Sequence, residues 1–247
     1  MKLHRNPTVA CVAALLLSLL AVPGTARARD GAAMLAATLA QHDPEGAWSR
    51  GHFELTLDSE RPDGTTIRTV LDIDNRAGVF IIRQQRDGHS IVAEIGPGEV
   101  CHIELDGSSE IEDSVRDDLR LTCERWRRLR DYYGYMWGLP MKLADAGTQL
   151  GAVARDSFGG ESASSLRVTY DEATGSDIWY FYFHPQTAGV VGYRFFHDES
   201  KNDGEYILVS GELEAGGVVF PKRHEWYVNA DDEYLGSDEL VAVRQLD

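Results

Sequence analysis

The apolar residues of this chain change their spacing once, and that change limits the folds available to it. From Ser114 to Trp137 they recur every three or four positions, at Val115, Leu119, Cys123, Trp126, Leu129 and Tyr133. That is the period of an amphipathic helix, and Gly138 and Pro140 mark its end. On either side of it, short runs alternate apolar and polar residues, the period of a strand with one buried face. The end of the helical stretch is crowded with large side chains: Tyr132, Tyr133, Tyr135, Met136, Trp137, Leu139 and Met141. Side chains of this size need an apolar surface to cover. A sheet on which the helix lies would supply it.

Before this stretch, Asp30 is positioned to cap a short helix over Ala32–Gln41, and His42-Asp-Pro-Glu-Gly46 ends it. Strands are expected at His52–Asp58, Thr66–Ile73, Val79–Gln85, Ile91–Ile95 and Val100–Leu105. Their separators are too short for parallel crossovers, so they read as an antiparallel meander. Strands resume after Asp145-Ala-Gly-Thr148, at Leu166–Tyr170, Ile178–Phe183, Val190–Phe196, Tyr206–Glu212, Val218–Pro221, His224–Asn229 and Leu240–Leu246. The expected class is α+β, mostly antiparallel β. A sheet this large curls, which predicts an open half-barrel with helices covering its concave face.

In Ile178–Phe183, Trp179, Phe181 and Phe183 point one way while Ile178, Tyr180 and Tyr182 point the other. Tyrosine hydroxyls seek water or a partner, so the Trp and Phe face is assigned to the concavity. Tyr193 and Phe195 extend that wall from the next strand, and Tyr133, Trp137 and Met141 face it from the helix. These eight side chains are the candidate ligand-binding residues. A filled core with no pocket is the competing reading.

Met1-Lys-Leu-His-Arg5, the small and apolar run Cys11–Val22, and Ala26-Arg-Ala28 have the layout of a cleavable export signal over residues 1–28. The run is too short to span a bilayer. The expected product is a periplasmic or secreted single domain, residues 29–247, with no integral membrane segment after cleavage. Loss of Lys2, Arg5 and Arg27 takes the formal charge from −16 to −19. Such a surface repels phosphate backbones, which argues against nucleic-acid binding. Cys101 and Cys123 remain after cleavage, in a compartment that permits a disulfide. Two separate buried thiols are the alternative.

Catalytic and metal signals are weak. His197-Asp-Glu-Ser-Lys-Asn-Asp-Gly-Glu205 resembles a calcium loop in composition, but its glycine and Lys201 fall at the wrong positions, leaving a solvated hairpin turn. No His-x-x-x-His pair occurs, the cysteines have no zinc spacing with histidine, and Asp156-Ser-Phe-Gly-Gly160 lacks the first glycine of a serine nucleophile turn. No catalytic residue, metal or cofactor is therefore assigned. Arg125, Arg127, Arg128, Arg130 and Lys142 form a dense basic patch in an acidic chain. It could receive an anionic head group, or be consumed in salt bridges with neighbouring acids.

The stretch Arg130-Asp-Tyr-Tyr-Gly-Tyr-Met-Trp-Gly-Leu-Pro-Met-Lys-Leu143 resembles the signature of a family of secreted bacterial proteins of unknown function. His42-Asp-Pro-Glu-Gly46, Trp179-Tyr-Phe-Tyr182, Asn202-Asp-Gly-Glu-Tyr206, Trp226-Tyr227 and Leu235-Gly236 extend the resemblance over nearly the whole chain. Ala146 stands where that family is expected to have proline. More distantly the chain is similar to periplasmic lipoprotein carriers and lipoprotein-sorting proteins (LolA/LolB-like). That similarity implies a half-barrel whose apolar concave face, under helices, holds acyl chains. The expected function is a periplasmic carrier or binding protein that shelters a lipid or other apolar small molecule. The alternatives are a secreted hydrolase with clustered carboxylates or histidines, and a non-catalytic structural envelope protein.

Overall fold

The computed structural model describes residues 30–247, so the leader expected over 1–28 lies outside the described residues. The described residues begin with α1 (Gly31–His42), capped by the Asp30 carboxylate accepting from the Ala32 N–H at 3.3 Å. Met34, Thr38 and His42, each four residues apart, form its buried stripe. Its exit is fixed by Asp43, whose carboxylate accepts from the Ala47 and Trp48 N–H groups at 2.6 and 3.2 Å. This turn seats Trp48 against Phe53 and Phe220, with ring centroids 5.7 and 5.9 Å away.

Five strands follow as a meander: β1 (His52–Glu60), β2 (Thr66–Asp74), β3 (Val79–Arg86), β4 (His89–Ile95) and β5 (Cys101–Leu105). After two helices, α2 (Asp113–Asp118) and α3 (Cys123–Gly138), a second meander begins. It comprises β6 (Thr148–Phe158), β7 (Glu161–Tyr170), β8 (Ile178–Phe183), β9 (Val190–Phe196), β10 (Glu205–Ala215), β11 (Val218–Val228) and β12 (Tyr234–Leu246). β12 pairs antiparallel with β1, from His52↔Leu246 to Glu60↔Ser237. The two meanders thus join into one sheet of order β5-β4-β3-β2-β1-β12-β11-β10-β9-β8-β7-β6.

This order explains where the helices lie. β5 and β6 are consecutive strands in the chain but occupy opposite edges of a twelve-stranded sheet. The segment joining them must cross the whole sheet, and its apolar side chains face the curl. Trp126, Tyr133 and Trp137 of α3 pack with Phe53, Leu71, Phe80, Ile82 and Ile91 of the first half. Met136, Leu139 and Leu143 pack with Leu166, Phe181, Phe183, Tyr193 and Ile207 of the second. A third cluster, Phe158, Ala163 and Tyr182, covers the outer face. The mostly antiparallel, open, helix-covered sheet read from the sequence is therefore the observed fold.

Three elements differ from expectation. The single helix over 114–137 is two, broken where Arg120 adopts a left-handed φ of 52°. Thr122 then starts α3 by accepting from the Arg125 N–H at 3.3 Å. A whole strand, β6, was missing from the expectation. It is an edge strand exposed along most of its length, so nothing selects an alternating pattern there, and a bulge between Leu150 and Val153 shifts its register. The two runs Val218–Pro221 and His224–Asn229 form one strand, β11. Pro221 is tolerated because it precedes the first β11–β12 pair, Arg223↔Glu239, so the strand has a neighbour on one side only at that point.

Cys101 and Cys123 are joined by a disulfide, with Cα atoms 5.9 Å apart. It ties edge strand β5 to the first residue of α3. No described helix is long and apolar enough to cross a membrane.

Candidate ligand-binding face

The eight residues singled out in the sequence come together on the concave side, in two packed groups. Trp179 stacks on Phe181 and Phe195 at 5.8 and 4.9 Å between ring centroids, and Phe181 meets Tyr193 edge-on at 5.4 Å. Phe183 lies in the same cluster. Tyr180 and Tyr182 take the opposite face, where the Tyr180 hydroxyl donates to Glu199 at 2.6 Å and Tyr182 stacks on Phe158 at 4.0 Å. Facing this wall, Tyr133, Trp137 and Met141 pack with the first half of the sheet. Six of the eight are buried; Trp179 and Phe195 are half-buried. None of them lines any of the four described clefts.

Two of those clefts run along the flanks of α3. One, of about 470 Å³, is floored by Trp48, Ile73 and Phe80 and edged by Arg130, Tyr135 and Lys142. The other, of about 320 Å³, lies between Tyr132, Trp226, Glu205 and Asp238. Asp238 there accepts from the Tyr132 hydroxyl and the Trp226 indole N–H, each at 3.1 Å. The largest described cleft, about 630 Å³, lies away from α3, beside Phe158 and Leu208 of the outer-face cluster. Of these clefts, the two beside α3 are the ones next to the aromatic interior. Nothing in the pattern marks Trp48 or Phe80 as lying at an opening: Trp48 stands in the turn before β1, and Phe80 alternates in β3 like any inward-facing residue.

Beneath α3 the core holds polar atoms that lack partners. The indole of Trp137 lies over the His224 ring at 4.6 Å, and Tyr193 approaches the same ring at 5.9 Å. Both His224 ring nitrogens and the Tyr193 hydroxyl are buried without a hydrogen-bond partner among the described residues. Burial alone pushes the His224 pKa down to about 3 and the Tyr193 pKa well up. His42 is the contrasting case. Its Nδ1–H donates to the Val219 carbonyl at 2.9 Å, and its Nε2 accepts from the Val190 N–H at 3.2 Å. These bonds fix one neutral tautomer, and burial lowers its pKa as well.

The acid-rich turn after β9 uses its side chains locally. Asp203 accepts from the His197 and Asp198 N–H groups, both at 2.8 Å, and Asp198 accepts from the Ser200 N–H at 3.0 Å. Glu199 pairs with Arg167 at 3.0 Å. Among the described residues no group of three or more His, Cys, Asp or Glu side chains converges to hold a metal.

A family model of unknown function, DUF6503, matches residues 12–242. The chain belongs to the DUF6503 family. No curated protein matches it. Among solved structures, this DUF6503 protein is similar to a LolA superfamily protein from Nitrosomonas europaea, at 10% identity and a TM-score of 0.51, covering 89% of this chain and 95% of that one. A putative outer membrane lipoprotein-sorting protein domain from Vibrio parahaemolyticus aligns over 86% and 90% of the two chains, at 8% identity and a TM-score of 0.46. The first likeness shows that this DUF6503 protein has a LolA-like fold.

Proposed function

We propose that this protein is a periplasmic carrier or binding protein that shelters a lipid or other apolar small molecule on its concave face, under α3. The observation that carries this reading is the pair of clefts flanking α3, one of them floored by Trp48, Ile73 and Phe80. From there an acyl chain or flat apolar ring need only displace α3 slightly to reach Trp137, Met141, Trp179 and Phe181. Tyr133, Phe183, Tyr193 and Phe195 pack behind them.

Two features favour such a displacement. The sheet satisfies its own backbone in an unbroken twelve-strand ladder, so α3 can move without breaking it. Each buried polar atom left without a partner costs on the order of 1–3 kcal/mol, so bringing the Tyr193 and His224 atoms into contact with water or a ligand's polar group offsets part of the cost of opening the core. The Nitrosomonas europaea protein of similar fold belongs to the LolA superfamily, in keeping with a carrier in the cell envelope.

Native mass spectrometry of gently purified protein tests the reading. The expected result is a co-purifying apolar species that Trp179→Ala and Met141→Ala weaken. Ligand-free protein that also fails to take up added phospholipid would overturn it.

A further inference from the structure

The basic residues of the central segment do not all meet the same fate. Arg127 and Arg130 pair with Glu99, at 3.4 and 2.8 Å, and Arg130 also pairs with Asp131 at 2.8 Å. Arg128 pairs with Glu124, and Lys142 with Asp145. Arg125 is the exception. It forms no ion pair among the described residues, it is half-buried, and its Nε has no hydrogen-bond partner.

Its charged neighbours are other arginines. Burial is the largest influence lowering the Arg125 pKa, and the charges of Arg86, Arg120 and Arg128 lower it further. Arg86 donates to the Leu119 carbonyl, and its one carboxylate contact, Asp87 at 3.7 Å, is with a largely exposed side chain. That bond holds the 119–121 segment against the end of β3. Arg120 follows in the left-handed break between α2 and α3, exposed and without an ion pair among the described residues. In a chain of formal charge −16, acids are the commonest available partners, yet among the described residues Arg120 and Arg125 have no ion pair and Arg86 has only the exposed Asp87.

Leu119 and Cys123, which flank these arginines in the chain, pack against the interior cluster that contains Tyr133. Tyr133, one helical turn pair beyond Arg125 on α3, reaches the buried Thr69 and Gln84 side chains, which bond to one another at 3.0 Å. We propose that Arg86, Arg120 and Arg125 form a site for a phosphate group, placed so that an apolar tail attached to it enters the concavity beside Tyr133. Phosphate suits the site better than a single carboxylate. It offers several acceptor oxygens to planar guanidinium forks, which bind such oxygens in pairs. Free phosphate and a phospholipid head group share this chemistry. The tail's path rests on the carrier reading above, whereas the anion site stands without it.

The test compares phosphatidylglycerol, phosphatidylcholine of the same chains, and inorganic phosphate. Binding is measured on the disulfide-bonded wild type and on R125Q, R125K and R120Q, with circular dichroism confirming each fold. Arg120 is exposed, so R120Q keeps the test informative should R125Q fail to fold. The wild type is expected to prefer the anionic lipid by about tenfold, the scale of one lost charge-assisted hydrogen bond. That preference falls towards one in R125Q and R120Q, survives in part in R125K, and weakens with salt. Inorganic phosphate that raises the melting temperature of wild type but not of R125Q, with no lipid bound, would support the anion site and remove the carrier reading. Equal binding of both lipids, unchanged by any variant, would overturn the anion site and leave the carrier reading in place. No response to any of the three ligands would overturn both.

Discussion

His224 shows how much a single buried side chain can tie stability to pH. Its pKa is about 3 in the folded protein, against about 6.5 for an unfolded histidine. Between those values the unfolded chain binds a proton that the folded chain does not. Stability from this group is therefore complete above about pH 6.5 and is lost as pH falls towards 3, by up to roughly 1.4 kcal/mol per pH unit. His42, also lowered by burial, adds a slope of the same sign. Denaturant midpoints should hold from pH 7.5 to about pH 6.5 and fall from there to pH 4.5, and H224F should flatten that fall. At pH 7.5 the variant should be as stable as wild type or about 1 kcal/mol more so, because two partnerless ring nitrogens are removed. A large loss at pH 7.5 would mean that the ring nitrogens make bonds that matter. No sequence pattern points to this residue: His224 follows Lys222 and Arg223 in a stretch that looks polar and exposed. The alternation of Trp179, Phe181 and Phe183, by contrast, is enough to assign all three to one face, and they share it.

α3 is the element whose attachment decides what the concave face can do. Its N-terminal end is anchored to β5 by the Cys101–Cys123 disulfide, while its C-terminal end rests on the packing of Trp137, Leu139 and Met141. On the chain-entropy account, closing that loop contributes roughly 3 kcal/mol. The double variant C101S/C123S should lower the unfolding free energy by about that amount in a urea titration, and a change below about 1 kcal/mol would show the bond to be energetically idle. The helical period of this segment was legible because burial on one side enforces it. The break at Arg120 was not, since Leu119 and Cys123 keep the four-residue apolar spacing across it while a capping threonine and a left-handed residue redirect the chain. β6 escaped for a related reason. An exposed edge strand carries little apolar alternation, and alternation is the signal by which strands are read.

At the scale of the whole molecule, two meanders share one sheet because β1 and β12 pair, and the edge-to-edge connection from β5 to β6 then has to cross the face they enclose. The order of strands and helices along the chain already implied a curled sheet with a helical cover. It could not tell a filled interior from an open one, because the same aromatic residues serve both. The structure has a packed interior with clefts at its margins, and the account holds that α3 is a displaceable cover over it. Hydrogen–deuterium exchange with and without phospholipid tests this most directly. Amides of 123–138 should exchange faster than those of β8 to β10 in the free protein, and should change on lipid addition while the strands stay as they were. If those helical amides are protected as strongly as the central strands, and lipid leaves them unaltered, α3 is a fixed part of the core and the account fails.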